Sequence, residues 1–166
     1  SKSFEKLIYD QNTNFTRYTF FYVDHLFKKN LLSKANLILD SELQRNPRNL
    51  LLNQLKLDIN SKKNYLKNNF DCKNISHIIA EIFYITSNAL SSQEIYSISN
   101  FYINLSKFLN QNFLSYNTLL AENFMMLEDY EIAYKTYLLL NKGGKVYNWH
   151  SSKQIALIYI KKKSQF

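Results

Sequence analysis

The residues that most often carry catalysis or bind metals are few in this chain, which has three histidines and one cysteine. None of the histidines forms an HExxH motif, and no cysteine pair accompanies them. His77 and Glu81 are four positions apart and would share one helix face, but two ligands do not hold zinc. We therefore predict no metal site and interpret the two residues as a polar pair near a helix start. Asp71 or Asn74 stands where it could cap that helix.

Motifs for nucleotide binding and nucleophilic catalysis are also missing. Gly143 and Gly144 lack both the GxGxxG and the GxxxxGK[ST] spacing, so we predict that they form a turn. No GxSxG motif places a serine on a nucleophile elbow. Cys72 lies in a polar stretch and is predicted to be an unpaired thiol. We therefore predict that the protein is not an enzyme and uses no cofactor.

Composition predicts a helical protein. Of the 166 residues, 46% are hydrophobic and 16% are aromatic, which is too apolar for a disordered chain. The chain has two glycines and one proline, and sheet proteins with many tight turns need more of both. These values favour helices joined by short turns, and the length suits one domain.

The formal net charge of +8 has two interpretations. It could form a basic surface for nucleic acid, for an anionic membrane or for an acidic partner. It could also reflect a bias towards residues with AT-rich codons, because Lys, Asn, Ile, Tyr and Phe are all abundant. Only Arg17, Arg45 and Arg48 are arginines, although arginine is the better residue for phosphates and base edges. We favour compositional bias over a nucleic-acid partner.

Apolar residues recur at helical spacing almost from end to end. The pattern predicts about eight helices, over residues 17–29, 32–44, 48–59, 75–90, 93–109, 113–127, 129–140 and 147–163. Residues 60–74 are polar and rich in Lys and Asn, and we predict a frayed helix end followed by an irregular loop. The apolar runs are far shorter than the ~20 residues that cross a bilayer, so we predict no transmembrane segment in this chain.

The helical stripes repeat with a period of about 34 residues. In the stretch AENFMMLEDYEIAYKTYLLL, small residues stand at Ala121 and Ala133. Serines stand at the equivalent positions one period earlier, Ser87 and Ser99. Small residues there would let the two helices of a pair approach closely, and large rings such as Tyr137 would fill the space beside them.

These positions resemble the tetratricopeptide repeat, a unit of about 34 residues that forms two antiparallel helices. The matching residues are Leu120, Ala121, Phe124, Ala133 and Tyr137, with Pro47 as the closing proline of an earlier unit. Asn117 stands where the pattern prefers Trp, and Gln111 and Lys145 replace the closing proline. Residues 74–159 are also similar to a group of tetratricopeptide-repeat proteins of alphaproteobacteria. The resemblance implies a single all-α domain over residues 1–166, a right-handed α-solenoid that we expect to be part of a longer array.

The resemblance also implies a binding surface, because the first helix of each such unit lines a concave groove. The groove positions are occupied by Arg17, Phe20, Asp24, Lys28, Glu81, Tyr84, Asn88, Thr118, Glu122, Met125, Met126, Trp149, Ser152 and Tyr159. This set mixes acids, bases, rings and amides, whereas a groove for RNA would be basic along its length. We expect the largest contributions to binding from Tyr84, Asn88, Glu122, Met125 and Trp149.

The leading hypothesis is a non-enzymatic scaffold that binds a peptide or protein segment in this groove. One alternative is a basic helical module for nucleic acid or an anionic membrane surface, whose affinity would fall steeply with salt. Another is a structural segment of a larger repeat protein. The apolar stretch IALIYI near the end of the chain could also pair two copies of the protein.

The cellular compartment stays open. No signal-peptide pattern follows Ser1, and a single cysteine excludes an internal disulfide. The resemblance is compatible with the bacterial periplasm, with a membrane-anchored protein and with the cytoplasm.

Overall fold

A computed structural model describes residues 16–61, 70–111 and 113–163, and the chain divides into two compact units, Ser1–Asn68 and Asn69–Phe166. The first unit contains α1 (Thr16–Lys28), α2 (Leu32–Arg45) and α3 (Leu50–Ser61). The second contains α4 (Ile75–Ser92), α5 (Tyr96–Leu109), α6 (Ser115–Met126), α7 (Tyr130–Leu139), a 3-10 turn (Leu140–Gly143) and α8 (Lys145–Lys163). One domain over residues 1–166 stays a prediction.

The described residues contain eight α-helices and no strand, so the predicted all-α class is confirmed. Each helix begins and ends within three residues of a stripe predicted from the sequence. Of the irregular loop predicted over residues 60–74, residues 62–69 lie outside the described part of the chain. Residues 60–61 belong to α3, and residues 70–74 are not helical.

The helices of the first unit pack through their apolar stripes. Helix α1 contacts both α2 and α3, and α2 contacts α3. The buried side chains include Phe20, Val23, Ala35, Leu39 and Leu52. Before α3, the Asn49 side chain accepts a hydrogen bond from the N–H of Leu52 at 3.0 Å. This bond satisfies a donor that a helix start otherwise leaves unpaired, and it explains where α3 begins.

The same turn joins α1 to α2, α4 to α5 and α6 to α7. It places Asn30, Glu94 and Glu128 in the left-handed region, with φ of 58°, 63° and 61°. The following N–H bonds to the carbonyl oxygen five positions earlier at 3.0 Å, in the pairs Leu31 to Leu26, Ile95 to Leu90 and Asp129 to Phe124. This is the Schellman arrangement. Glu94 and Glu128 are 34 residues apart, so the turn recurs with the period predicted from the side chains.

Two small residues hold α4 against α5. Ser87 and Ser99 are fully buried. The Ser87 hydroxyl donates to the carbonyl oxygen of Ser99 at 2.9 Å, and the Ser99 hydroxyl donates to that of Ser87 at 2.8 Å. Bonds in both directions require backbones close enough for a short side chain to span, as predicted. One period later, Ala121 and Ala133 are also fully buried, in the contacting helices α6 and α7.

Successive helices of the second unit pack in chain order, with a further contact between α4 and α6. At the end of α7, a Cβ at Gly143 would overlap the Leu114 side chain and lie 3.0 Å from Cγ of Tyr147. Gly144 then has φ of 99°, a conformation that glycine adopts readily. The predicted glycine turn is therefore confirmed, and it directs α8 back against α7.

Candidate functional site

Three helices of the second unit bring titratable and polar side chains together. Helix α6 carries Thr118 and Glu122, which lie one turn apart on one face. Oε1 of Glu122 lies 3.9 Å from Nε2 of His150 in α8. The His150 ring stands edge-on to Tyr137 of α7, with centroids 6.1 Å apart. We call Thr118, Glu122 and His150 the α6–α8 cluster.

Two atoms of this cluster are buried and have no hydrogen-bond partner among the described residues. They are Oγ1 of Thr118 and Nε2 of His150. By contrast, the hydroxyls of Thr86 and Thr136 each donate to the carbonyl oxygen four residues earlier. Leaving a buried polar atom unpaired costs about 1–3 kcal/mol, so native proteins keep few such atoms. A bound group that supplied the missing partners would remove that cost.

The α6–α8 cluster changes protonation close to neutral pH. Burial raises the pKa of Glu122 from its usual 4.5 to about 7, although 48% of the side-chain surface remains exposed. Burial, and then the charge of Lys153, lower the pKa of His150. Burial, followed by the Glu122 carboxylate, raises the pKa of Tyr137. Near pH 7 the imidazole is therefore neutral while Glu122 gains or loses its proton.

These shifts predict how replacement of Glu122 changes the pH dependence of stability. The folded state binds the Glu122 proton more tightly than the unfolded chain does, so this residue makes stability fall as pH rises from about 4.5 to about 7. The substitution Glu122→Gln removes that loss. We expect urea unfolding to show the variant gaining stability relative to the unmodified protein between pH 5 and pH 8.

A second acid provides the control for this prediction. Lys135, through its hydrogen bond and its charge, lowers the pKa of Glu131. Glu131→Gln should therefore show no gain in relative stability over the same pH range. If both variants showed the same change of unfolding free energy with pH, the Glu122 carboxyl would not be desolvated in the folded protein.

The predicted residues of α6 differ in exposure. Glu122 is exposed and Thr118 is partly buried. Met126 is 58% exposed, whereas Met125 is buried and presents little surface to a partner. Glu122 and Met126 can therefore be reached from solvent without rearrangement of the helix, whereas the hydroxyl oxygen of Thr118 is buried.

The predicted residues of α4 lie beside α6. The Tyr84 ring packs against Tyr116 of α6, with centroids 5.4 Å apart. Asn88 is exposed, one turn further along α4. Glu81 is buried and already interacts with other residues. Helix α4 therefore offers an exposed amide and a half-buried ring next to α6.

The predicted residues of α8 are all exposed. Trp149 is 66% exposed, and Nζ of Lys153 lies 5.7 Å from its ring centroid. Ser152 is exposed. Tyr159 packs against Tyr134 of α7, with centroids 6.2 Å apart. Trp149 therefore lies beside His150 in the sequence, and Tyr159 takes part in the contact between α7 and α8.

Four predicted residues belong to the first unit. The Arg17 guanidinium lies 5.5 Å from the Phe21 ring centroid, and Phe20 is buried. Asp24 is also buried, and its carboxylate lies 2.8 Å from Nζ of Lys28. Phe20 is therefore part of the core, and the charge of Asp24 is already balanced within α1.

The predicted polar pair near the start of α4 has local roles. The N–H of Asp71 donates to Nδ1 of His77 at 3.0 Å. The Asn74 side chain accepts from the N–H of Ser76 at 2.9 Å, so Asn74 is the cap of α4.

Cys72 is exposed and unpaired. No three His, Cys, Asp or Glu side chains gather as a metal site in the described ranges, and every helix there is too short or too polar to span a bilayer.

The role of His150 is not predicted from the sequence. Its residue type indicates only a possible metal ligand, and the predicted groove contains its neighbour Trp149 instead. The position gave a partial signal, since His150 directly follows a groove position. Its contact with Glu122 depends on how far α8 is rotated about its own axis, which no local pattern shows.

Sequence reasoning also missed Asn123, which is 1% exposed. Its Nδ2 donates to Oγ of Ser99 at 2.7 Å and to Oδ1 of Asn100 at 2.8 Å. Its Oδ1 accepts from the hydroxyl of Ser91 at 2.6 Å. Asn123 therefore joins α6 to α4 and α5. The available signal was an amide within an otherwise apolar helical stripe.

Comparison with known proteins found no match among protein-family models, curated proteins or solved structures. Function must therefore be inferred from the residues and their arrangement.

Proposed function

We propose that the chain is a non-enzymatic module of tetratricopeptide-like helix pairs, stacked as a right-handed α-solenoid, that binds a segment of another protein. Three features support the stacking: the recurring turn, the paired serines of α4 and α5, and the order in which α4 to α8 contact one another. Helix pairs of this kind bury their apolar faces only against neighbouring pairs. Contacts of α5 with α6 and of α7 with α8 are of that type.

The observation that carries the binding proposal is the α6–α8 cluster. It combines a half-exposed carboxyl with two buried polar atoms that lack partners. Packing alone gives no reason to keep such a group, because an apolar residue at Thr118 would avoid the unpaired hydroxyl. A partner that donates or accepts hydrogen bonds here would account for it.

Two exposed residues of the predicted groove also suit a peptide-like partner. Asn88 is exposed, and an amide offers both a donor and an acceptor for an extended backbone. Trp149 is 66% exposed, and large aromatic side chains supply much of the binding energy at protein interfaces. Tyr84 closes the space between α4 and α6.

A library of random peptides displayed on phage tests the proposal. Peptides selected on the full chain at pH 8 would be titrated against Asn88→Ala and Trp149→Ala, each expected to weaken binding about tenfold. The matched controls are Phe101→Ala and Phe108→Ala in α5, which are 60% and 76% exposed. We expect these two controls to leave the affinity unchanged.

The proposal fails if the α5 variants abolish peptide binding while the Asn88 and Trp149 variants do not. It also fails if selection yields no peptide that depends on Asn88, Trp149 or the α6–α8 cluster. Binding to RNA, DNA or anionic vesicles that falls steeply with salt, without any peptide binding, would favour the basic-surface alternative instead.

A further inference from the structure

Glu122 differs from the acids that form salt bridges with lysine, because no lysine or arginine of the described residues pairs with its carboxylate. Asp24, Asp40 and Glu131 each lie 2.7–2.8 Å from a lysine Nζ, in salt bridges with Lys28, Lys56 and Lys135. Lys and Arg together number 21 against 13 acids, so cations are plentiful. Even so, the pKa of Glu122 is raised by burial with no opposing effect from a positive charge.

The groups that face Glu122 come from the helices packed around it. Tyr137 faces it from α7, and His150 faces it from α8. Lys153, also in α8, acts on His150. No charged group of α4 or α5 alters the pKa of the Glu122 carboxyl. Since Tyr137 and His150 are both neutral near pH 7, an ionised Glu122 has no counter-ion in the described part of the chain.

Each of the three side chains in the α6–α8 cluster can accept a hydrogen bond. An ionised carboxylate only accepts hydrogen bonds, a neutral imidazole has one acceptor nitrogen, and a hydroxyl oxygen accepts as well. The ammonium of lysine and the guanidinium of arginine are donors only, with three and five N–H groups. We propose that Glu122, with His150 and Thr118 beside it, receives a cationic side chain, Arg or Lys, of the bound protein segment. This inference rests on the function proposed above.

The protonation of the cluster makes the binding of such a side chain depend on pH. A cation favours the ionised form of Glu122, so binding expels the proton held in the free protein below about pH 7. Affinity then rises about tenfold per pH unit up to that point and levels off above it. Protonation of His150 at lower pH would repel the cation and acts in the same direction.

The experiment uses the peptides selected on the full chain at pH 8. Each basic residue of a selected peptide would be replaced in turn by citrulline for Arg or norleucine for Lys. Titration calorimetry would measure the affinity of each selected peptide and of its neutral replacement at pH 6 and pH 8. Each measurement would be made with the unmodified protein and with Glu122→Gln. We expect one neutral replacement to weaken binding at least tenfold at pH 8, and Glu122→Gln to abolish both this difference and the pH dependence.

Glu131→Gln is the matched control, because Glu131 is an exposed acid already paired with Lys135. It should behave as the unmodified protein. Circular dichroism would verify that both variants fold. Peptides that depend on Asn88 or Trp149 but carry no essential basic residue, or bind Glu122→Gln equally well, would overturn this inference and leave the proposed function standing. If no peptide depends on Asn88, Trp149 or the cluster, the proposed function itself fails.

Discussion

Replacing Ala133 with leucine is expected to lower the free energy of unfolding by about 3 kcal/mol, the upper part of the range for overpacked sites. Ala133 is fully buried in α7, which packs on α6. One period earlier, Ser99 meets Ser87 through hydrogen bonds of 2.8–2.9 Å between side chain and backbone. At that separation a leucine side chain has no space, so α6 and α7 must move apart.

Ala89→Leu provides the control because it makes the same substitution at an exposed position of α4. It should change stability by less than about 0.5 kcal/mol. Urea unfolding followed by circular dichroism measures both variants. A loss at Ala133 no larger than that at Ala89 would show that α6 and α7 do not need a small residue at their contact.

Replacing Asn123 with alanine should also cost about 3 kcal/mol. The substitution deletes three side-chain hydrogen bonds of 2.6–2.8 Å. It leaves the hydroxyl of Ser91 and Oδ1 of Asn100 without this partner, whereas the Ser99 hydroxyl keeps its bonds to Ser87. Each such unsatisfied group costs about 1–3 kcal/mol. The expected loss of about 3 kcal/mol lies near the low end of these costs added together. Water can enter at the half-buried Ser91 and replace one of the lost bonds.

Asn104→Ala is the matched control for this second prediction. Asn104 is an exposed asparagine of α5. Within the described part of the chain, its side chain bonds only to the carbonyl oxygen of Asn100, in its own helix. We expect less than about 0.5 kcal/mol for its removal. Hydrogen exchange would show which helices are affected. Loss of Asn123 should lower the protection of backbone amides in α4, α5 and α6 together. Opening confined to α6 would contradict its role as a link between helices.

The helices could be predicted from the sequence because their signals are local. Apolar spacing, the cap before α4 and the glycines after α7 each act within a few residues. The helices and the glycine turn appear where the sequence predicts them, and of the two predicted caps, Asp71 and Asn74, the structure uses Asn74. The small residues at Ser87 and Ser99 were also readable, since a short side chain at a fixed period indicates a close helix contact. The same period placed Glu122 and Thr118 on one face of α6.

The candidate site could be predicted only in part. The frame of 34 residues identified Glu122 and Asn88, which are exposed, but it also selected Phe20 and Met125, which are buried. Helical spacing says which residues share a face, and it does not say how deeply a neighbouring helix covers that face. Glu81 shows the same limit, because it is also buried.

The sequence by itself determined the all-α class, the helix boundaries and the period, because hydrogen bonds and apolar stripes within a helix depend on neighbouring residues. Only the tertiary structure decided which polar groups meet. His150 reaches Glu122 across 28 positions, and Asn123 reaches Ser91 across 32. Such contacts depend on how each helix is rotated against its neighbours. That rotation is set by the packing of buried side chains such as Tyr116 and Tyr147, which no local pattern predicts.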